Sequence, residues 1–382
     1  MVRRWAGVAV AAIEGQALQA SLLAAALALQ VGCPLALAET APEQAYVGLK
    51  VLDYQDRQPD AQRIRVQAQA LTGMVPLGSD WSLSGTLIAD SISGASPLFH
   101  AKALTPMRDK RHAADLALTR YLPQGTWNAG ASHSQESDYL SRSIYGGMTR
   151  SDEGRNTTWG LSGSLAQDVI NPVNQLVRDE TRQSVDLLGS LTQVMSERDL
   201  VQLALGWSRS QGYMSDPYKL LDERPRQRTR QTLQLRWNHH LDGHNATVRS
   251  GYRYFRDDWG IAAHTLDVEY VQPLGQDWKL TPLLRYYTQG AARFYVDADG
   301  TRSPFAPSPA PDAVHYALDQ RLSAFGALTL GAKLSYRWQD NTQLDFKIEQ
   351  YEQRAAWTWG AGSPNLPVFR ARFIQWGLTH WF

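Results

Sequence analysis

From about residue 45 to the end of the chain, apolar and polar side chains alternate with a period of two. The clearest stretch is Gly326 to Trp338. Leu328, Leu330, Ala332, Leu334, Tyr336 and Trp338 fall on one face, and Thr329, Gly331, Lys333, Ser335 and Arg337 on the other. Leu344, Phe346 and Ile348 oppose Asp345, Lys347 and Glu349. Leu233, Leu235 and Trp237 oppose Gln234, Arg236 and Asn238. Val248, Tyr252 and Tyr254 oppose Arg249 and Arg253. Ile64, Val66, Ala68 and Ala70 oppose Arg63, Arg65, Gln67 and Gln69. This is the pattern of half-buried β-strands, and no helical period of comparable length competes with it. The segments run to about ten to twelve residues, whereas strands of soluble sheets average about five or six. Ten or so tilted residues is the length that crosses a bilayer.

Aromatic residues gather at the segment ends: Tyr252, Tyr254, Trp259, Tyr286, Tyr287, Tyr336, Trp338, Trp376, Trp381 and Phe382. Amphipathic rings at both rims of an apolar band form the girdles of an outer-membrane barrel. A large soluble β-sandwich or propeller is the competing architecture, and it gives no reason for that clustering. The fold class expected is therefore all-β, a transmembrane antiparallel β-barrel.

Composition narrows the choice further. Mean hydropathy is −0.38, too low for a polytopic helical membrane protein. Lys plus Arg number 38 against 37 Asp plus Glu, so charge gives no reason to expect nucleic acid as a partner. The single cysteine, Cys33, excludes a disulfide framework and any cysteine-built metal site. The first residues read as an address. Arg3 and Arg4 precede the apolar run Ser21 to Leu29, and Ala36-Leu37-Ala38 forms an A-x-A cleavage site. Residues 1–38 are expected to be a signal peptide and 39–382 the barrel. A lipoprotein reading of Cys33 has only the poor lipobox Gln30-Val31-Gly32 behind it. At the other end, Gln375-x-Gly377-x-x-His380-x-Phe382 resembles the C-terminal signal read by the barrel-assembly machinery, with His380 where an aliphatic or aromatic residue is usual. Ile374, Trp376, Leu378 and Phe382 are then expected to face outer-membrane lipid.

The links between segments count the strands. Short links fall at 74–79, 122–124, 152–155, 196–198, 241–244, 273–276 and 339–341. Long ones fall at 91–109, 168–182, 210–228, 289–320 and 354–367. Short turns on the periplasmic side and long loops outside are the rule for these barrels. The count is sixteen, with fourteen as the alternative. The proline-rich run Ser303 to Pro311 is expected to be an outer loop, since each proline removes a ladder donor. A sixteen-strand barrel is wide enough for a water-filled lumen or an infolded loop. Its inward side chains include Arg236, Arg249, Arg253, Arg285, Lys333, Arg337 and Lys347 against Asp267, Asp345 and Glu349. They read as a salt-bridged wall, or as an ion-selective pore.

One motif carries covalent chemistry. Asp90-Ser91-Ile92-Ser93-Gly94-Ala95-Ser96 resembles the D-x-x-[ST]-G-A-[ST] acceptor of periplasmic flavin transferases. In that resemblance the Ser96 hydroxyl receives FMN through a phosphoester, and Asp90, Ser93, Gly94 and Ala95 form the recognition frame. The same residues fit an ordinary Ser-Gly-Ala-Ser-Pro turn. The expected topology puts Ser96 outside, whereas the transferase works in the periplasm.

Asp90 to Pro97, Asp138-Tyr139-Leu140-Ser141, Asp216-Pro217-Tyr218-Lys219, Glu223-Arg224-Pro225 and Tyr252 to Thr265 together resemble the DUF3570 family of bacterial outer-membrane proteins. The resemblance covers nearly all of the chain after the signal segment. It implies an outer-membrane barrel whose genes commonly neighbour a small lipoprotein and a flavin transferase, and hence an extracytosolic redox role. It supplies no catalytic residues.

The remaining constellations are weaker. Asp216, Lys219, Asp222, Glu223, Arg224, Arg226, Arg228 and Arg230 read as a solvated outer loop, or as one that docks a ligand or lipopolysaccharide. Asp257, Asp258 and His264 flank a short hairpin and could hold a cation, but neighbouring strand residues point to opposite faces. His239, His240 and His244 lie near a periplasmic turn. No Ser-His-Asp triad, phosphate-cradling glycine loop or zinc-helix pattern is present. Three functions follow: a redox carrier with covalent FMN on Ser96 and no turnover of its own; a flavin-free channel for small solutes or metal chelates; and a structural barrel anchoring a lipoprotein.

Overall fold

The computed structural model describes residues 40–59, 61–97, 104–219, 221–297, 299 and 307–382. The expected signal peptide and part of the proline-rich run lie outside these residues. Sixteen long strands close into one antiparallel barrel. They are β1 Tyr46–Gln58, β2 Ala61–Leu77, β3 Trp81–Pro97, β4 Leu104–Leu122, β5 Gly125–Gln135, β6 Tyr139–Ser151, β7 Thr157–Ile170, β8 Glu180–Val194 and β9 Asp199–Gly212. They continue as β11 Gln227–Leu241, β12 Ala246–Asp257, β13 Ala262–Leu274, β14 Trp278–Gln289, β16 Phe325–Arg337, β17 Thr342–Arg354 and β18 Phe369–Trp381. Two short strands, β10 Asp222–Glu223 and β15 Tyr316–Ala317, pair with each other in the loops. The first and last long strands close the ring, from Tyr46↔Trp381 to Arg57↔Arg370. The barrel therefore has no open edge, which is what a sheet needs in hydrocarbon, where unpaired backbone groups find no water.

Alternation decides which side chains face out. Leu87, Leu116, Leu161, Leu187, Leu205 and Leu330 each leave half or more of their surface open. A continuous apolar belt of this kind would not persist in water, where exposed apolar surface costs about 25 cal/mol per Å². Lipid is its natural solvent. Trp81, Trp127, Trp159, Trp237 and Trp278 ring the belt at the short-turn end, with Trp278 stacked on Tyr336 at 4.4 Å. At the long-loop end, Tyr254, His264, Trp359 and Tyr286 form a chain of ring contacts of 4.6 to 6.0 Å. Both expected girdles are present, but Trp259 and Tyr287, expected among their rings, turn into the lumen instead. On β18, Trp376 and Leu378 are exposed to the outside as expected, and the Phe382 amide donates to the Ala45 carbonyl at 2.9 Å.

The short-turn end carries Tyr46, Trp381 and the seven tight connections. The long loops cluster at the other end, called here the outer end. Two expectations need correction there. The segment from residue 91 was expected to be loop, but β3 runs to Pro97 and pairs residue by residue with β4, from Ser91↔Lys110 to Pro97↔Leu104. Its polar residues can continue the strand because this part of the wall stands beyond the apolar belt. On β2 the expected faces are reversed. Ile64, Val66 and Ala68 turn inward and pack with Leu52, Tyr54, Phe325, Phe369 and Phe373. Arg65, Gln67 and Gln69 turn outward. The outer mouth holds an apolar core of its own, so above the belt the inside is the drier face.

Candidate functional site in the outer half of the lumen

The connection from β14 to β16 folds into the mouth of the barrel. Leu318, Asp319 and Ser323 are among its most buried side chains. Backbone and side chains hold it together. The Gln289 amide of β14 donates to the carbonyls of Arg321 and Ser323 at 3.1 and 2.6 Å. The Asp319 carboxylate accepts from the Arg321 backbone N–H and so caps a short 3₁₀ turn, Gln320–Leu322.

From this turn, polar contacts reach opposite walls. Towards β1, the Gln58 amide donates to the Gln320 amide oxygen at 3.4 Å, and the Arg63 guanidinium of β2 faces the same Gln320 amide. Towards the β9–β11 loop, Asp319 accepts from Arg224 at 2.8 Å, and Arg321 donates to Asp216 at 2.6 Å and to Asp319 itself. Arg224 also grips Asp222 through two bonds of 2.7 and 2.6 Å. β1 and β9 lie eight strands apart in a ring of sixteen. The contacts therefore span the barrel diameter. The charged segment 216–230, read from sequence as a solvated outer loop, is instead part of an internal bridge. Arg224 and Arg228 point at buried carboxylates and Arg230 at serine hydroxyls, while Arg226 pairs with Glu180 at the surface.

Charge inside the bridge is balanced. Burial alone would raise the Asp319 carboxyl, but Arg321, Arg224 and Lys219 outweigh it and hold the group well below the usual carboxylate range. Burial pushes Lys219 down to about 8, against the pull of Asp319 and Asp216.

Beneath the bridge lies a cavity of about 290 Å³ between β5 and β14. Six arginines and one aspartate line it: Arg182, Arg224, Arg228, Arg230, Arg253 and Arg321, with Asp186. Four of these arginines are held by carboxylates. Arg182 pairs with Asp168 at 2.7 Å and Arg228 with Asp257 at 2.7 Å, while Arg224 and Arg321 belong to the bridge. Arg230 donates to the hydroxyls of Ser208 and Ser210 at 2.7 and 3.2 Å. Arg253 has no ion pair or hydrogen bond among the described residues. Ser162, Ser164, Ser184 and Thr232 supply further hydroxyls, and Phe255, Trp259, Ile261 and Leu322 an apolar wall. Tyr145, which donates to Asp115, fits because Gly130 on the neighbouring strand leaves room for its ring. A positive, hydroxyl-rich pocket with one apolar side suits a small organic anion.

The other sequence candidates can now be placed. Arg236, Arg253, Lys333 and Lys347 face inward as expected. Lys333 pairs with Asp345 at 2.9 Å and Lys347 with Glu349 at 2.8 Å, so the β16–β17 wall is salt-bridged. Asp257 and His264 do not meet. Asp257 holds Arg228, while His264 lies on the outer surface against Tyr252 and Trp359. His239 pairs with Asp199 at 2.7 Å. The carboxylates that do converge are Asp109, Glu136 and Asp138 at the outer rim, with oxygens within 4.8 Å of one another. Strand spacing alone hides them, because Asp109 stands on β4 while Glu136 and Asp138 belong to the β5–β6 turn. The Tyr218 hydroxyl donates to Asp138 and accepts from the Val173 N–H at 3.0 Å, which ties the rim to the bridge loop.

Burial pushes Glu136 up to about 8, with Arg111 pulling the other way. The ordered rim therefore holds a proton that a released, solvated rim would give up above about 4.5. Its stability is full below that value and declines as pH rises towards 8. Hydrogen exchange at residues 136–140 is expected to be slower at pH 6 than at pH 9 after correction for the intrinsic rate. Glu136→Gln should flatten the difference.

In the flavin motif, Asp90 is buried and paired with Arg111, Nη2 to Oδ2 at 2.5 Å. Gly94 is paired on both sides, to Ile64 and to Met107, and Ser96 is paired with Thr105. A groove of about 710 Å³ bordered by Ser91, Ser93, Asp109, His112 and Glu136 runs beside the motif.

The fold and the lumen can be set beside known proteins. A family model described as "Protein of unknown function (DUF3570)" matches residues 101–179 and 174–365. The chain belongs to the DUF3570 family. No curated protein matches it. Among solved structures it is similar to a bacterial polysaccharide outer membrane secretin, at 7% identity and a TM-score of 0.50 over 88% of this chain and 98% of that one. It is also similar to OccD3 (OpdP) from Pseudomonas aeruginosa, at 10% identity and a TM-score of 0.43 over 90% and 93%. A third is the siderophore receptor PirA from Pseudomonas aeruginosa, at 10% identity and a TM-score of 0.45. That match covers 81% of this chain, which spans only 56% of the receptor's length. The closed sixteen-strand sheet and the likeness to the secretin bear on the fold alone: this DUF3570 protein is an outer-membrane-type β-barrel.

Proposed function

We propose that this barrel is a loop-constricted outer-membrane channel for small organic anions. The observation that carries the reading is the infolded β14–β16 connection, which bridges the mouth above a cavity lined by six arginines and one aspartate. An infolded loop narrows a wide lumen to solute size. Fixed positive charge below it favours anions over cations at the constriction. Arg253, which has no ion pair or hydrogen bond among the described residues, supplies free positive charge to the cavity, and Arg230 lines the same wall beside Ser208 and Ser210. Phe255, Trp259 and Ile261 give an aromatic or aliphatic body a surface to slide along. The test is conductance in planar bilayers. Anion-selective channels blocked by small aromatic carboxylates would support the reading, and a barrel with no conductance would remove it.

A second reading rests on the motif at β3. FMN on Ser96 would make the barrel part of an extracytosolic electron-transfer system served by a periplasmic flavin transferase, with a small lipoprotein as a further partner. The Ser96 hydroxyl would attack the flavin-side phosphorus of FAD, forming the phosphoester and releasing AMP. The groove beside Ser91 and Ser93 offers space for a ring system. The folded strand does not fit a transferase cleft, because its backbone is already paired with β2 and β4 and Asp90 is locked to Arg111. Transfer fits the unfolded chain in transit through the periplasm. Fluorescence that survives denaturing electrophoresis is therefore expected after co-expression with the transferase, and lost in Ser96→Ala. Adding transferase and FAD to the folded barrel should label nothing. Labelling of the folded barrel, or none in co-expression, would count against this route.

A further inference from the structure

The apolar belt ends abruptly on the wall formed by β17, β18, β1 and β2. Its last rows are Phe346–Trp376–Val51 and Ile348–Ile374. Two residues further out, the paired outward positions become Gln350–Arg372–Gln55–Arg65, and then Glu352–Arg370–Arg57. Arg354 ends β17 on the same side. Five arginines thus stand against two carboxylates, Glu352 and Asp53, in a chain that is otherwise balanced.

The carboxylates are already used. Glu352 lies between Arg354 and Arg370, which donates to it at 2.7 Å. Asp53 takes Arg65 at 2.6 Å. Arg57 and Arg372 are exposed and have no ion pair or hydrogen bond among the described residues. Arg57 is directly opposite Arg370 in the ladder. Directly opposed side chains sit about 4.5–5.5 Å apart at Cβ, and like charges there oppose folding. The arrangement becomes favourable if an anion bridges the guanidinium groups, and guanidinium forks suit phosphate oxygens. These arginines sit one or two rows beyond the apolar belt, at headgroup height.

We propose that this wall binds the phosphates of lipid A, the phosphorylated glycolipid of the outer leaflet, with Arg57, Arg370 and Arg372 as the clamp. The site is on the outer surface and independent of whether the lumen conducts. The lipopolysaccharide contact that sequence suggested for the 216–230 arginines falls instead to residues of β1 and β18, more than a hundred positions away at either end.

The experiment is native mass spectrometry of the folded barrel in detergent with lipid A, fully dephosphorylated lipid A, or phosphatidylglycerol. Wild type is expected to retain lipid A about tenfold more than the dephosphorylated form, in line with one or two charge-assisted bonds. Arg57→Gln with Arg372→Gln should erase most of that preference, while heat-modifiable gel migration reports an intact barrel. Arg57→Gln alone serves if the double variant does not fold. Equal retention of both lipid A forms by wild type would overturn the proposal. So would full preference in the variants. Retention of phosphatidylglycerol equal to lipid A, or displacement by millimolar inorganic phosphate, would show a general anion patch and overturn the lipid A assignment.

Discussion

Exchanging Arg230 and Arg253 for glutamate is expected to turn the channel from anion-selective to cation-selective. Both residues line the cavity beneath the bridge. Each exchange changes the local charge by two units while leaving the bridge carboxylates and their arginines untouched. A unit charge about 4 Å from a permeating ion is worth about 1 kcal/mol even at water's dielectric constant. Two reversals should therefore move the anion-to-cation permeability ratio by about tenfold or more. The check is the zero-current potential across a salt gradient, which should change sign in the double variant. Replacing Arg224 or Arg321 is a poor substitute for this test, because both are tied to buried aspartates and their loss would disturb the bridge as well as the charge.

Asp319→Ala is expected to release the bridge and raise single-channel conductance several-fold. Asp319 is 1% exposed and takes hydrogen bonds from Arg224 and Arg321. Removing one member of a buried ion pair costs about 3–5 kcal/mol. The cost here belongs near the lower end, since Arg224 keeps Asp222 and Arg321 keeps Asp216. That is still enough to unseat a segment held mainly by these contacts. The barrel wall does not depend on it, so folded yield and heat-modifiable migration should stay as in wild type. Faster proteolysis within 307–324, together with larger conductance, would mark the opening. Unchanged conductance would show that the bridge does not limit flow.

The architecture was legible because it is local. Strand alternation, aromatic rims and link lengths are properties of neighbouring residues, and they give sixteen strands with ends within a few residues of those seen, except at the outer ends of β3 and β4. The seven short turns fall where the pattern puts them. What failed depended on distance. Arg224 and Asp319 are 95 residues apart, and Arg321 and Asp216 are 105. Nothing near either member marks its partner, so a charged segment that closes a mouth reads the same as one that meets water. The reversal of faces on β2 has the same origin. Alternation shows that Ile64, Val66 and Ala68 share a face, but only the Phe369 and Phe373 side chains of β18, more than 300 residues further along the chain and next but one to β2 in the ring, make that face the inside. Likewise the motif at Asp90–Ser96 was taken for the start of a loop because its glycine and serines suit turns. Pairing with β4 over all seven positions keeps it extended.

The central claim is that the lumen conducts small anions past an infolded loop, and the most direct measurement is the wild-type zero-current potential in a planar bilayer under a potassium chloride gradient. A potential displaced towards the chloride equilibrium value, with step-like block by an aromatic carboxylate, is the predicted result. A barrel that is folded by gel migration yet shows no conductance, or one that selects potassium, would contradict the account.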